Sequence, residues 1–209
     1  MLTTSTHTSI STPTYPPIPH RSLGKTGCEV SQFGLGGEGV LRTHGRMAEA
    51  VAVIHRALDQ GVTYCDTSPA YAGSIDYYGA ALGERRNQVF LASKTHDRTR
   101  DGSLRLLDES LKRLRTNHLD LWQLHDLRTP SDLKMIFGRR GALEALVQAR
   151  DEGRVRFLGV TGIMIRPSCS KRCASSISIP CWWRSMRPMS IACLSPKPFW
   201  LRQRDAAWA

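Results

Sequence analysis

The chain has 209 residues, of which 41% are apolar and 22% charged, a globular composition that allows a core in one domain or two. No stretch approaches the roughly 20 apolar residues that span a bilayer, and the Ser/Thr/Pro/His-rich first 20 residues lack the apolar region of a secretory signal. The net charge of +11 points toward anionic partners, but residues 163–209 carry eight Lys/Arg against one acid, Asp205, so most of the excess lies outside the orderly part of the chain. Neither a nucleic-acid nor a membrane partner is expected.

Residues 1–20 read as a disordered leader. The text then becomes regular. RSLGKTGCEVS (21–31) has turn signals at Gly24 and Gly27 and predicts a short hairpin. Residues 31–36, SQFGLG, predict a first strand. Residues 47–60 predict an amphipathic helix, with Val51, Ile54 and Leu58 at helical spacing and Gly61 as the stop. A strand follows at 62–66, then a helix over 77–82 closed by Gly83. The apolar run 89–94 predicts a third strand, and 103–114 a helix with Leu104, Leu107, Leu111 and Leu114 on one face. A strand at 119–125, a helix at 142–152 ending at Gly153, and a strand at 155–160 complete the series.

Apolar strands alternating with helices predict an α/β fold: a parallel sheet covered by helices. Five strands and four helices fit before Gly162. An open doubly wound sheet and a (β/α)8 barrel both begin this way. A barrel takes about 250 residues, so a barrel here would be truncated after its fifth strand.

Four polar residues sit at or just beyond successive strand ends: Asp66, Tyr71, Lys94 and His125. Singly, each has a structural explanation: a turn or helix cap, a packed loop aromatic, a snorkelling lysine, a structural histidine. Together they form a proton-transfer device, because the C-terminal strand ends of a barrel open on one face. A tyrosine is a weak acid at neutral pH, and a neighbouring lysine cation favours its phenolate. A carboxylate keeps that lysine charged, and a histidine beside the phenol can bond a carbonyl oxygen. Such a set suits protonation of a carbonyl oxygen as hydride reaches the carbon.

The ordered series RSLGKTG, FGLGG, YCDTSPAYAGS, LASK, DLWQLH and GRVRFLGVTG resembles the aldo-keto reductases over residues 21–162. The resemblance implies a (β/α)8 barrel binding NADPH, in some members NADH, across its mouth without a Rossmann domain. It implies Tyr71 as general acid, Lys94 as its pKa-lowering partner, Asp66 as the orienter of Lys94, and His125 as the carbonyl positioner. The substrate would be a small carbonyl compound or alcohol. Gly36, Gly37, Asp66 and Thr161 are the implied cofactor contacts. FGLGGEG lacks the GxGxxG register, so Gly36 and Gly37 read as places of close backbone approach. The family's usual Tyr-Gly-x-Ser-Glu is here Tyr71 followed by Ala72, Gly73, Ser74 and Ile75, and its usual Ser-Asn after the fifth strand is here Thr161–Gly162.

After Gly162 the rhythm of strand and helix ends. Residues 163–209 hold four of the six cysteines, four of the five tryptophans and no histidine. Cys169, Cys173, Cys181 and Cys193 have no CxxC spacing, so no metal is expected. A one-base deletion near the Gly162 codon explains this composition. Under such a shift, tail residues with T-first codons replace apolar residues and those with A-first codons replace polar ones. Ser168–Cys169–Ser170 and Cys181–Trp182–Trp183 then cover two apolar trios with a polar-apolar repeat between, the next helix and strand of a barrel. The chain is thus expected to be a truncated, frameshifted and inactive form of a cytoplasmic oxidoreductase. The alternative is a non-catalytic partner protein built on a partial barrel, with the basic tail as contact. A flavodoxin-type binding module ranks last, because no Ser/Thr-rich phosphate loop follows the first strand.

Overall fold

The computed structural model describes residues 16–162. The expected tail, and all of the expected leader before residue 16, lie outside the described residues. A hairpin comes first: β1 (His20–Ser22) pairs antiparallel with β2 (Glu29–Ser31). Gly24 and Gly27, at φ +54° and +70°, make the turn between them.

Five parallel strands follow, β3 (Gly34–Gly36), β4 (Tyr64–Asp66), β5 (Phe90–Thr95), β6 (Leu119–Leu124) and β7 (Val155–Val160). They lie side by side in sequence order. A doubly wound sheet reverses its strand order partway; this one adds each strand to the same edge, as a barrel does. The described residues therefore form part of a (β/α) barrel. The expected first strand over 31–36 is shorter than predicted, because Ser31 pairs with His20 and belongs to the hairpin. Ser31 also exchanges hydrogen bonds with Thr63, which anchors the hairpin beneath β4.

The helices are α1 (Met47–Asp59), α2 (Ser74–Leu82), α3 (Arg100–Leu114), α4 (Pro130–Phe137) and α5 (Ala142–Asp151), with a 3-10 turn at Gly83–Gln88. Ala50, Ile54 and Leu58 recur every four residues on α1 and are buried together. On α3, Leu107 and Leu114 are buried and Leu104 and Leu111 partly so, the stripe that their spacing predicted. Thr99 caps α3 by accepting from the Gly102 N–H. The helix α4 was not predicted. It rests on a capping box, in which the Thr129 hydroxyl accepts from the Asp132 N–H and the Asp132 carboxylate accepts from the Thr129 N–H.

Alternation divides the strands' side chains between two cores. Toward the helices lie Leu91, Trp122 and Leu158, packed with Ile54, Tyr78, Leu107 and Leu146. Toward the barrel interior lie Phe90, Ala92 and Leu121, with Val30 from the hairpin and the Tyr64 and Phe157 rings. Tyr64, Phe90 and Phe157 stack in a row, with centroids 5.6 and 6.0 Å apart. One buried polar cluster ties β5 to β6. The Asp120 carboxylate, on β6, accepts from the Arg86 guanidinium at 2.9 Å, the Leu91 N–H at 2.9 Å and the half-exposed Arg156 at 2.7 Å. Truncating one partner of a buried ion pair leaves the other charge uncompensated. Asp120→Ala should therefore lower stability by about 3 kcal/mol, whereas Arg156→Ala, at the exposed end, should cost at most about 1 kcal/mol. Urea unfolding midpoints of the two variants check the ordering.

Candidate active site

Parallel register sets the level of each site residue. Asp66, the last residue of β4, pairs with Gly36 on one side and Ala92 on the other. Lys94 lies two residues further along β5, opposite Gln123 of β6. His125 follows the last residue of β6, and its N–H donates to the Thr95 carbonyl at 2.8 Å. Tyr71 sits in the loop between β4 and α2, where its N–H donates to the Ser68 carbonyl and Ala72 takes a left-handed φ of +45°.

The structure brings these four together. The Lys94 ammonium donates to Asp66 Oδ1 at 2.5 Å and to the Thr67 carbonyl at 3.0 Å. It also stands 4.7 Å from the centre of the Tyr71 ring. The Tyr71 hydroxyl and His125 Nε2 are 3.3 Å apart, with the rings edge to face. His125 Nδ1 lies 3.4 Å from Ser68 Oγ.

Their electrostatics follow from burial and neighbours. Burial drives the Lys94 ammonium below its ordinary range and the Asp66 carboxyl above its own, and each restrains the other by opposite charge. Burial, reinforced by the Lys94 charge, pushes His125 down to about 4, so its imidazole is neutral near pH 7. The Tyr71 phenol moves up, first through burial and then through the negative charges of Asp66 and Glu38. That differs from the expectation that Lys94 lowers it. Burial is the largest cause, and the Asp66 and Glu38 carboxylates act in the same direction.

The implied cofactor contacts fall into two kinds. A Cβ at Gly36 would meet nothing within 4 Å, so this backbone is open to an approaching molecule. A Cβ at Gly37 would lie 2.2 Å from Ser74 Oγ and 2.9 Å from the Asp66 carbonyl, so this glycine is required by the packing of β3's exit against β4 and α2. Thr161 is tied to the loop after β6: its hydroxyl accepts from the Asp126 N–H at 3.1 Å and its carbonyl from the Leu127 N–H at 2.9 Å. Gly162 allows that approach, because a Cβ there would come within 2.4 Å of the Leu127 carbonyl oxygen.

Sequence reasoning passed over Glu38, Ser68 and Arg98. Glu38 lies two residues beyond β3, a strand-end acid like Asp66, and pairs with Arg42 at 3.2 Å at the mouth. Ser68 adjoins the strand end that flagged Asp66, whereas no local signal marks Arg98. Among the described residues, no three His, Cys, Asp or Glu side chains gather as a metal site, and no helix is long and apolar enough to cross a membrane.

A sheet wound in strict strand order, with Asp, Tyr, Lys and His meeting at its C-terminal mouth, defines a protein of (β/α)-barrel type. Residues 32–182 match the Aldo/keto reductase family, and the chain belongs to that family. It is 35% identical over 163 residues to aldo-keto reductase YhdN of Bacillus subtilis, covering 70% of this chain and 47% of that protein. It superposes on a thermostable aldo-keto reductase solved with the inhibitor epalrestat (TM-score 0.60, 33% identity, 70% of this chain and 54% of that one). It also superposes on an aldo-keto reductase of Klebsiella pneumoniae solved with NADPH (TM-score 0.56, 28% identity, 66% and 47%). The chain spans about half the length of the curated relatives it matches.

The low His125 midpoint has a consequence for stability. Between the ordinary imidazole value of 6.5 and about 4, the unfolded chain binds a proton at this imidazole that the folded chain does not. Its contribution is complete above pH 6.5 and is lost as pH falls through that window. His125→Gln should therefore flatten the loss of stability between pH 6.5 and 4 relative to the parent chain. Urea midpoints across that range check this, and an unchanged slope sinks it.

Proposed function

We propose that the described barrel segment carries the proton-transfer half of an NAD(P)H-dependent reductase acting on an aldehyde or ketone. The observation that carries this reading is the hydrogen-bonded Tyr71–His125 pair beside the buried Lys94–Asp66 ion pair. A reduced nicotinamide supplies hydride to the carbonyl carbon when bound. The donor set fits that partner: a neutral imidazole and a protonated phenol converge on one point, beside an open glycine backbone at Gly36.

In this reading, Tyr71 gives its hydroxyl proton to the carbonyl oxygen as negative charge develops there. His125, neutral, orients that oxygen by a hydrogen bond from Nε2. Lys94 stabilises the phenolate that Tyr71 becomes, and Asp66 together with the Thr67 carbonyl holds Lys94 in place. Gly36, Asp66 and Thr161 line the nicotinamide side, with NADPH the favoured donor and NADH the alternative. Thr161 retains its hydroxyl proton as a donor, since it accepts from Asp126. Cys28 and Cys65 are free thiols, in keeping with a cytoplasmic setting.

The same reading treats residues 163–209 as a frameshifted tail and the chain as written as inactive. Sequencing the gene across the codons for residues 161–165 and beyond residue 209 tests the shift. An intact frame with no barrel-like coding sequence beneath the tail overturns it. With the frame restored, NADPH oxidation by an aldehyde should appear. Tyr71→Phe should lower it by about 100-fold or more with NADPH binding retained. Turnover indifferent to Tyr71→Phe refutes the general acid.

A second reading, a non-catalytic partner protein, draws on one observation: β3 and β7 are the outer strands of the described sheet. A sheet edge offers unpaired backbone groups to another chain. A cooperative unfolding transition and a single defined oligomer of the 209-residue chain favour it.

A further inference from the structure

We propose that Arg98 is a positioning residue: its guanidinium clamps the backbone of the loop leaving β6 and so fixes where the His125 ring stands against Tyr71. The inference rests on the reductase reading for its functional meaning, since that reading gives His125 the carbonyl oxygen. Arg98 lies three residues beyond β5, and its side chain is 14% exposed. Nη1 donates to the His125 carbonyl at 2.8 Å and Nη2 to the Asp126 carbonyl at 2.9 Å. Nε donates to Asp132 Oδ1 at 3.1 Å. The other oxygen of Asp132 accepts from the N–H groups of Arg128 and Thr129 at the start of α4. One side chain thus ties the exit of β5, the exit of β6 and the first turn of α4 to each other. Only a planar fork with several fixed donors can do this; a lysine ammonium lacks the geometry.

The loop needs such a clamp. Asp126 stands at φ +56°, a conformation that costs a non-glycine residue energy and persists where its surroundings over-determine it. Arg98 holds the carbonyls of this turn from one side. Thr161 holds its N–H groups from the other, through bonds from Asp126 and Leu127. Between the two, the His125 ring has one place to go: 3.3 Å from the Tyr71 hydroxyl and 3.4 Å from Ser68. The charged and titratable groups facing it are Lys94 and His96 from β5 and its exit, Tyr71 from the loop after β4, Glu38 from the loop after β3, and neighbouring Asp126. Arg98→Lys, which keeps a cation here without the fork, separates release of the ring from loss of a nearby charge.

The test is an NMR titration of the histidine rings in the full 209-residue chain, with His125→Gln to assign the resonance. In the parent, the His125 midpoint is expected near 4. Arg98→Ala should raise it by about one pH unit or more, leave His55 and His118 where they were, and respond to added millimolar guanidinium by moving back toward the parent value. A His125 midpoint unchanged to within a few tenths overturns the clamp, as does a shift shared by all three rings. If Arg98→Ala loses its fold, Arg98→Lys decides by the same readout, because it keeps the charge and the stem but not the fork. NADPH binding by the frame-restored protein, followed by fluorescence, separates the two claims. A moved His125 with no NADPH binding by the frame-restored protein leaves the clamp and sinks the reductase reading, whereas bound NADPH with an unmoved His125 does the reverse.

Discussion

Parallel pairing in strict sequence order is the constraint on which the rest of this structure depends. Each strand from β3 to β7 joins the edge left by its predecessor, so every C-terminal strand end reaches the same mouth. A polar residue at a strand's last position, or just past it, then arrives at a common site without a dedicated loop. The register refines this placement. Lys94 stands one side-chain layer above Asp66, and its four-carbon stem lets the ammonium return to the carboxylate at 2.5 Å. The pair is nearly dry, with side chains 4% and 24% exposed. Taking such charges from water is costly, and it is sustained by the pair's own attraction and by the further bond to the Thr67 carbonyl. The ion pair is therefore a structural tie between β4 and β5 before it is anything catalytic.

Burial and the two charges of this pair govern the electrostatics of the mouth. Tyr71 keeps its proton, under burial and under the charges of Asp66 and Glu38. His125 loses its own, under burial and the Lys94 charge. The result is a phenol that holds its proton beside an imidazole that is not charged. For the proposed reaction this is the useful starting state, since a proton must be present on Tyr71 before it can be given to an oxygen. Glu38, paired with Arg42 in open solvent, bears on all four groups from the mouth's rim.

The strands and their chemically loaded ends were readable in the sequence because each is a short apolar run closed by a polar residue or a glycine. Residues 155–160 were predicted to the residue, and 89–94 and 119–125 fell within one residue of the observed strands. The helix α4 was missed because it buries little. Ile136 is its one fully buried residue, while Met135 and Phe137 point outward, so no apolar stripe announces it. Its real signal, Thr129 followed by Pro130 and Asp132, is a cap and not a pattern. Tyr71's direction of shift was out of reach for a different reason. It depends first on how deeply the ring is buried, then on Asp66 and on a carboxylate 33 positions earlier in the chain, and the depth of burial has no local signature. Gly37 was read as close backbone approach, which it is, but what approaches is Ser74 and the Asp66 carbonyl.

The distribution of roles across the fold accounts for how a chain about half the length of its curated relatives can hold so complete a constellation. Asp66, Tyr71, Lys94 and His125 all come from three neighbouring strands and the loops that leave them, so the proton-handling groups need no other wall of the barrel to meet. Their supports are nearly as local: Thr67, Ser68 and Arg98 lie on the same strand exits, and Thr161 lies on that of the adjacent β7. Beneath them the Tyr64–Phe90–Phe157 stack and Val30 of the hairpin fill the interior at the opposite end of the strands, which gives this half a floor of its own. A cofactor makes a different demand, since a dinucleotide is long and must be gripped along its length. The residues described here offer it one open glycine and one threonine hydroxyl. In the proposed reaction, proton transfer and cofactor retention are thus separable, the first drawing on adjacent strands and the second on surface beyond them.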